Sequence, residues 1–301
     1  MQDKTKVTIK DVYSFWEKHA PGFNELKHIY VEDKKLFFDE LDLMISARSP
    51  KIQKNYRMDL VDGLEVLDIG CGQGYNAEQL VRNGAKLTAI DLTDMAIKLT
   101  KERFQARGLN ANILNANAER LPFNDSTFDY IHSSGVLHHT PKINKAIKEI
   151  YRVMREGGLG SIMIYHKSSW TYWYRIQVRL RIIMIILYLM PGSLRNIILS
   201  KKPSLTHYIS SKWPTSEDAL RTGTDFGGIN NPLSRIYTKS SALKLFSLFK
   251  VEGFAVSQSA YKPFKKNKNI LEIFLTYIFD KLGEKWGWYL FVYFKKEKSN
   301  N

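Results

Sequence analysis

Between residues 64 and 166, short apolar runs alternate with stretches of helical period. The runs are "LEVLDIG" (64–70), "AKLTAID" (85–91), "ANILNAN" (111–117), "TFDYIHSS" (127–134) and "GSIMIYH" (160–166). Between them, "NAEQLVRNG" (76–84), "MAIKLTKERFQARG" (95–108) and "INKAIKEIYRVMREGG" (143–158) return an apolar residue every three or four positions, as helices do. The last of these is expected to close on Gly157-Gly158 through a left-handed cap. Strand–helix alternation at this spacing predicts a parallel, doubly wound α/β sheet with helices on both faces. Two later runs, "GFAVSQSAY" (253–261) and "GWYLFVYF" (287–294), predict two more strands. Residues 1–62 read as helical, with "KDVYSFWEKH" and "KKLFFDELDLMISA" as amphipathic pieces, and 265–282 as a further surface helix. The expected organisation is an N-terminal helical lid (1–62), a core (63–166), a helical cap insertion (167–237) and a C-terminal completion of the sheet (238–301).

Composition narrows the class. With 44% hydrophobic and 13% aromatic residues in 301 positions, the chain can bury a sizeable core, which excludes wholesale disorder. Cys71 is the only cysteine, so no intrachain disulfide forms and a reducing compartment fits. Residues 1–25 lack the apolar stretch of a signal peptide, and a cytoplasmic location is the expectation. The net charge of +15 is uneven: residues 1–165 carry 23 Lys and Arg against 22 Asp and Glu, whereas residues 166–301 carry 22 against 8. Nucleic acid, anionic lipid and acidic partners all suit such a basic half, and charge alone does not choose among them.

"VLDIGCGQGY" (66–75) sets glycines at alternate positions between the first strand and a helix. A strand, a glycine turn and a helix N-terminus cradle a ligand of phosphate or nucleoside character. Gly70 and Gly72 permit the tight turn and a close approach of the ligand to the backbone. Asp91 closes the second strand, where a carboxylate can accept both hydroxyls of a ribose. The spacing Gly70-x-Gly72-x-Gly74 departs from the G-x-G-x-x-G of dinucleotide sites. A nicotinamide site and a turn that binds nothing are the competing readings of the glycines alone.

In motif order, the chain resembles the class I S-adenosylmethionine-dependent methyltransferases, in particular their small-molecule, ubiquinone-biosynthesis-like branch. "VLDIGCGQGY", "LTAIDLT", "NANAERLPFNDSTFDYIHSSGVLHHT" and "AIKEIYRVMREGGLGSIMIYH" carry the likeness from about residue 64 to 165, and more loosely over 238–296. The resemblance implies a Rossmann-like seven-stranded sheet, mostly parallel and ending in an antiparallel hairpin. It also implies S-adenosylmethionine as cofactor. Asp68 and the backbone of Gly70 and Gly72 would then face its methionine end, Asp91 its ribose and Leu92 its adenine, with Gly74 also among the cofactor-binding residues. Asn117, Ala118 and Glu119 would line the adenine edge, and Ser133 and Ser134 would lie beside the methionine moiety. Asn117 stands where the family usually has Asp; its amide oxygen can accept the same bond without the charge. "REGG" replaces the usual Lys-Pro-Gly-Gly turn.

Alignment of two bound reactants can lower the barrier by roughly 7–11 kcal/mol, so acid–base help matters mainly for hydroxyl or protonated-amine acceptors. His138 and His139 in "GVLHHT" are candidates, although the family keeps a histidine there across unrelated substrates, which suggests a structural role. His166, at the end of the fifth strand, lies where open parallel sheets place substrates. Tyr13, Phe15 and Trp16 form either an aromatic cover or part of a helix core. In 221–238, a Gly-, Asn- and Asp-rich stretch, Asp225, Asn230, Asn231, Arg235 and Tyr237 are substrate candidates or a solvated connector. No cluster has metal-ligand spacing and no nucleophile–base motif is visible, so no metal is expected.

The insertion opens with "SSWTYWYRIQVRLRIIMIILYLMPG" (168–192). Its fully apolar part, 182–190, is nine residues, roughly 14 Å of helix against about 30 Å of bilayer core. A cap over the site, a homodimer contact and a membrane-surface helix are the readings that remain, and no recognised RNA-binding signature accompanies the basic half. The expected activity is methyl transfer to a small-molecule acceptor. Lipid or quinone methylation at a membrane surface, RNA methylation and cofactor binding without catalysis are the alternatives.

Overall fold

A computed structural model describes residues 7–20, 23–48, 52–201, 213–224, 231–257 and 281–298. Seven strands form one sheet: β1 (Glu65–Ile69), β2 (Lys86–Asp91), β3 (Asn112–Asn115), β4 (Phe128–Ser134), β5 (Met154–Tyr165), β6 (Lys250–Ser257) and β7 (Tyr289–Lys295). Their order is β3-β2-β1-β4-β5-β7-β6. The first five are parallel to one another, and β7 runs antiparallel between β5 and β6. This is the Rossmann-like seven-stranded arrangement that the resemblance implied, antiparallel edge included.

β1 shows why the centre is stable. Val66 joins one apolar cluster with Leu80, Leu87, Phe104 and Phe291. Leu67 and Ile69 join the other, with Ile131, Ile147, Ile150 and Phe294. A strand buried on both faces reads as a continuous apolar run, which is what "VLDI" is, apart from Asp68. Helix α6 (Ile143–Val153) covers the second face by burying Ile143, Ala146, Ile147, Ile150 and Val153, three to four residues apart.

The end of α6 differs from expectation. The helix stops at Val153, Met154 is extended, and the chain enters β5 before reaching Gly157-Gly158. Ser126 and Thr127 donate their backbone N–H groups to the carbonyls of Arg152 and Val153, at 2.9 and 2.7 Å, so the approach to β4 takes up the helix's last acceptors. Gly157 does adopt a left-handed φ of +78°, but inside the strand rather than as a helix cap.

Three helices precede the sheet: α1 (Ile9–Lys18), α2 (Phe23–Glu32) and α3 (Lys34–Arg48). Thr8 and Asp11 form a reciprocal capping box that starts α1. Phe37, Phe38 and Leu41 of α3 pack on Leu99 of α5 (Asp94–Arg107), with α4 (Tyr75–Arg82) alongside. Arg103 of α5 is fully buried there. It reaches Glu78 at 2.9 Å, Asp42 at 2.8 Å and the Gln73 carbonyl at 2.8 Å. Replacing Arg103 with Met should therefore strand Glu78 without its main partner and cost about 3 kcal/mol, read as a lower urea midpoint. An unchanged midpoint would mean that Arg82 and Arg107 suffice.

After β5, Thr171–Leu180 winds as a π-helix and continues directly into α7 (Arg181–Leu189), followed by α8 (Gly192–Lys201) and α9 (Ser216–Thr224). The chain returns through 231–238 to α10 (Lys239–Leu245) and β6. No helix among the described residues is long and apolar enough to cross a membrane. The surface helix expected over 265–282 lies outside the described residues up to position 280, as do positions 258–261 of the sixth strand.

Candidate active site

The strand order reverses between β1 and β4, and the crevice outside the C-terminal ends of such strands is where open α/β sheets bind ligands. A cavity of about 370 Å³ sits there, within the size range of small-molecule sites. α1 roofs it with Ile9, Val12 and Trp16, and the β1–α4 turn forms its floor.

The turn explains its glycines individually. Gly70 has φ +82°, and a Cβ on it would come within 2.0 Å of a Val136 methyl carbon, so only hydrogen fits. Gly72, φ +57°, meets nothing within 4 Å of an added Cβ and borders the cavity, so it leaves the cradle bare for a ligand. Gly74 does not line the cavity; its added Cβ would crowd Thr100 at 3.0 Å and Arg103 at 3.2 Å, so its bareness serves the packing of α4 on α5.

Asp91 reaches the cavity from the end of β2. Its carboxylate accepts from the Gly72 N–H at 3.1 Å and from the Thr93 N–H and hydroxyl at 2.9 and 2.8 Å. Burial pushes its pKa up and outweighs these donors. Leu92, Asn117, Ala118 and Ser134 also line the cavity. The Asn117 side-chain oxygen accepts from the Glu119 N–H at 2.9 Å.

Three residues assigned to the cofactor by resemblance stand behind this wall. Asp68 is buried and bonded to the His132 ring at 2.7 Å, with its second oxygen unpartnered. Glu119 accepts from the Lys142 N–H at 2.8 Å, at the start of α6. Ser133 donates to the Ile69 carbonyl at 2.9 Å, tying β4 to β1.

Of the paired histidines, His139 is the one on the cavity wall. Both sit on a short 3₁₀ turn, Leu137–His139. His138 turns away, fully buried 3.8 Å from the Tyr165 ring, and burial drives its pKa well below the usual 6.5, leaving it neutral. His139 Nδ1 lies 2.6 Å from the Leu233 carbonyl and 3.2 Å from the Asn231 amide nitrogen; a carbonyl can only accept, so the shorter contact calls for a proton on Nδ1. Trp16 packs against it at 5.1 Å.

The remaining candidates hold the site from outside. His166 donates to the Gly287 carbonyl at 3.1 Å, and burial lowers its pKa. Tyr13 donates to Asp94 at 3.0 Å, fastening α1 to α5. Arg235 clamps the carbonyls of Thr140 and Pro141 at 2.6 and 2.9 Å. Asn231 is buried beside His139, and Tyr237 pairs its backbone with Tyr165 at 2.8 Å. None of these five borders the cavity. Asp225 and Asn230 lie outside the described residues. Sequence reasoning missed Gln53, Tyr56, Tyr165 and Tyr289 as walls; the three tyrosines, in strands and a short turn, read as core.

Residues 67–162 match the sequence profile of a family described as "Methyltransferase domain". These residues carry a methyltransferase domain, in keeping with the resemblance to the class I S-adenosylmethionine-dependent enzymes. The methyltransferase relatives include the sterol 4-C-methyltransferase of Caenorhabditis elegans, 34% identical over 104 residues (34% of this chain, 31% of that protein). The phthiotriol/phenolphthiotriol dimycocerosates methyltransferase of Mycobacterium tuberculosis is 37% identical over 98 residues (32% and 36%). The demethylmenaquinone methyltransferase of Geobacillus stearothermophilus is 30% identical over 142 residues (45% and 61%). The chain thus spans 31% to 61% of the length of these relatives. A SAM-dependent methyltransferase from Methanosarcina mazei has the same fold, at TM-score 0.50 and 22% identity over 82% of this chain and 98% of that one. So does a structure described for the conversion of a disulfide bond into a thioacetal group during echinomycin biosynthesis, at TM-score 0.51 and 18% identity over 85% of each chain. The methyltransferase cofactor, S-adenosylmethionine, suits the walls present, a bare glycine floor and a carboxylate at the ribose position, with an unpartnered Asp68 oxygen buried behind them.

Proposed function

We propose that this protein transfers a methyl group from S-adenosylmethionine to an apolar small molecule whose reacting atom must lose a proton. The observation that carries the reading is His139, set in the cavity wall with its Nδ1 proton committed to the Leu233 carbonyl. Bound S-adenosylmethionine supplies an electrophilic sulfonium methyl group. Asp91 would accept the ribose hydroxyls, Leu92 and Ala118 would flank the adenine, and the Gly70–Gly72 backbone would meet the amino-acid end. His139 Nε2 would take the acceptor's proton as the acceptor attacks, within a pocket that Trp16 helps close to water.

Away from Asp91 the cavity is walled by Ile45, Ile52, Tyr56, Met163, Tyr165 and Tyr289, which suits a ring or an alkyl chain better than a charged metabolite. The sterol, phthiotriol and menaquinone relatives support an acceptor of that kind, and the protein would then work peripherally at a membrane. The lid, core, cap and completion expected from the sequence are the parts this reading needs: α1–α3 to cover the cavity, and the 167–237 insertion to flank its acceptor end.

The test is incubation with methyl-labelled S-adenosylmethionine and extract from cells lacking the protein. Label in the organic-soluble fraction, lost in His139→Gln, is expected. Label confined to RNA or protein would overturn the reading, and no label with cofactor binding intact would leave a binding-only protein.

A further inference from the structure

From residue 157 to residue 216 the chain contains no Asp or Glu and eight Lys or Arg. Within this acid-free segment lie the π-helix, α7 and α8. One side of the first helix is seated: Tyr172, Ile176, Leu180 and Met184 pack with Ala219, Leu220, Trp288 and Tyr165. Tyr165 also lines the cavity, so the seat adjoins the acceptor end of the site.

Among the described residues, the other side has no such seat. Trp170, Trp173, Ile182, Ile186 and Leu189 are each at least half exposed, at 51–66%. Arg175 and Arg179 emerge among them, both exposed. α8 follows with no buried residue at all, presenting Leu194 and Ile197. An apolar surface of this extent on a soluble domain marks something that covers it.

We infer that this face lies on an anionic lipid bilayer, with the helix axis in the plane of the interface. Three features select that occupant. Trp and Tyr at one end with arginines among aliphatic residues is the composition of interfacial helices, in which the guanidinium heads reach the phosphates while the alkyl and ring parts enter the acyl boundary. The absence of any carboxylate over 60 residues fits a negative surface. The same absence opposes a second copy: a two-fold dimer through this face would set arginines against arginines with no acid within the segment to answer them. A nucleic acid would meet the charges but leave the isoleucine and leucine side chains without a partner.

This docking goes beyond the methyl-transfer reading and is measured without turnover. The full chain is sedimented with vesicles of phosphatidylcholine holding about 30 mol% phosphatidylglycerol, and with phosphatidylcholine alone, at low and high salt. Binding is expected only to the anionic vesicles and to weaken with salt. Arg175→Gln with Arg179→Gln should weaken it about 30-fold, from two charges lost at the surface. Trp173→Asp with Ile182→Asp should weaken it at least tenfold. Both positions are exposed, and a preserved thermal shift on adding S-adenosylhomocysteine reports that each variant is folded. No sedimentation with anionic vesicles, or binding indifferent to lipid charge and salt, overturns the inference. So does self-association that the same substitutions abolish, which assigns the face to a second copy. A wild-type protein that binds vesicles but shows no cofactor shift would sink the methyltransferase reading and leave the docking standing.

Discussion

His139→Gln is expected to lower kcat by about 10²–10⁴-fold while cofactor affinity stays within error. Glutamine keeps a donor for the Leu233 carbonyl and much of the ring's volume, so the Trp16 contact loosens without the cavity collapsing. What it cannot do is accept a proton at neutral pH. A single-turnover assay with saturating acceptor separates the two effects, because the change must appear in the chemical step and not in cofactor binding. The paired control is His138→Gln, which removes a buried neutral ring packed on Tyr165 and should act on stability instead. Equal losses of kcat in both variants would make the histidine pair a structural unit and remove His139 as the base.

Asp91→Ala should reduce S-adenosylhomocysteine affinity by about a hundredfold or more, since hydrogen bonds to a charged acceptor contribute about 1.5–3 kcal/mol each and two are at stake. The substitution also frees the Gly72 N–H, which Asp91 holds at 3.1 Å, so the cradle itself relaxes. Calorimetry across pH adds a signature. Burial raises the Asp91 pKa above its usual 3.8, so on acidification the carboxylate takes up its proton earlier than an exposed one. Ligand affinity should therefore fall as pH drops through that raised value. The sign for stability is opposite: a raised carboxylate pKa favours the folded chain at low pH, and that contribution is lost as pH rises through it. Asp91→Asn should flatten both dependences. Affinity that stays independent of pH in the wild type would take Asp91 out of ribose binding.

The sheet was legible because each central strand is an apolar run between turn residues, and both of its faces are buried. β1 is the plainest case. The start of β5 was not, because "MREGG" continues the spacing of α6 closely enough to pass as its last turn. Only pairing with Phe128, 26 residues upstream, makes Met154 a strand residue. The glycine cradle and Asp91 were legible from spacing together with family resemblance. Asp68 was assigned to the cofactor in the same way, yet its partner is His132, brought opposite it by the β1–β4 register. Neighbouring positions such as His138 and His139 cannot be told apart by pattern. Which ring meets the cavity depends on Leu233 and Arg235, nearly 100 residues away. The loop that the sequence offered as a substrate contact is, in 231–237, the brace behind that histidine.

The roof of the cavity is held lightly. α1 buries only Val12 fully, and its polar fastenings to α5 are Tyr13 with Asp94 and Glu17 with the Met95 N–H at 3.1 Å. One of these hydrogen bonds is exposed and the other half-buried, and such bonds contribute little against water, so amide exchange in α1 would run far ahead of exchange in β1 or β4. A ligand in the cavity would give Ile9, Val12 and Trp16 a second surface to pack on and slow that exchange. Entry and departure of the cofactor would then proceed by fraying ten residues, with no strand disturbed.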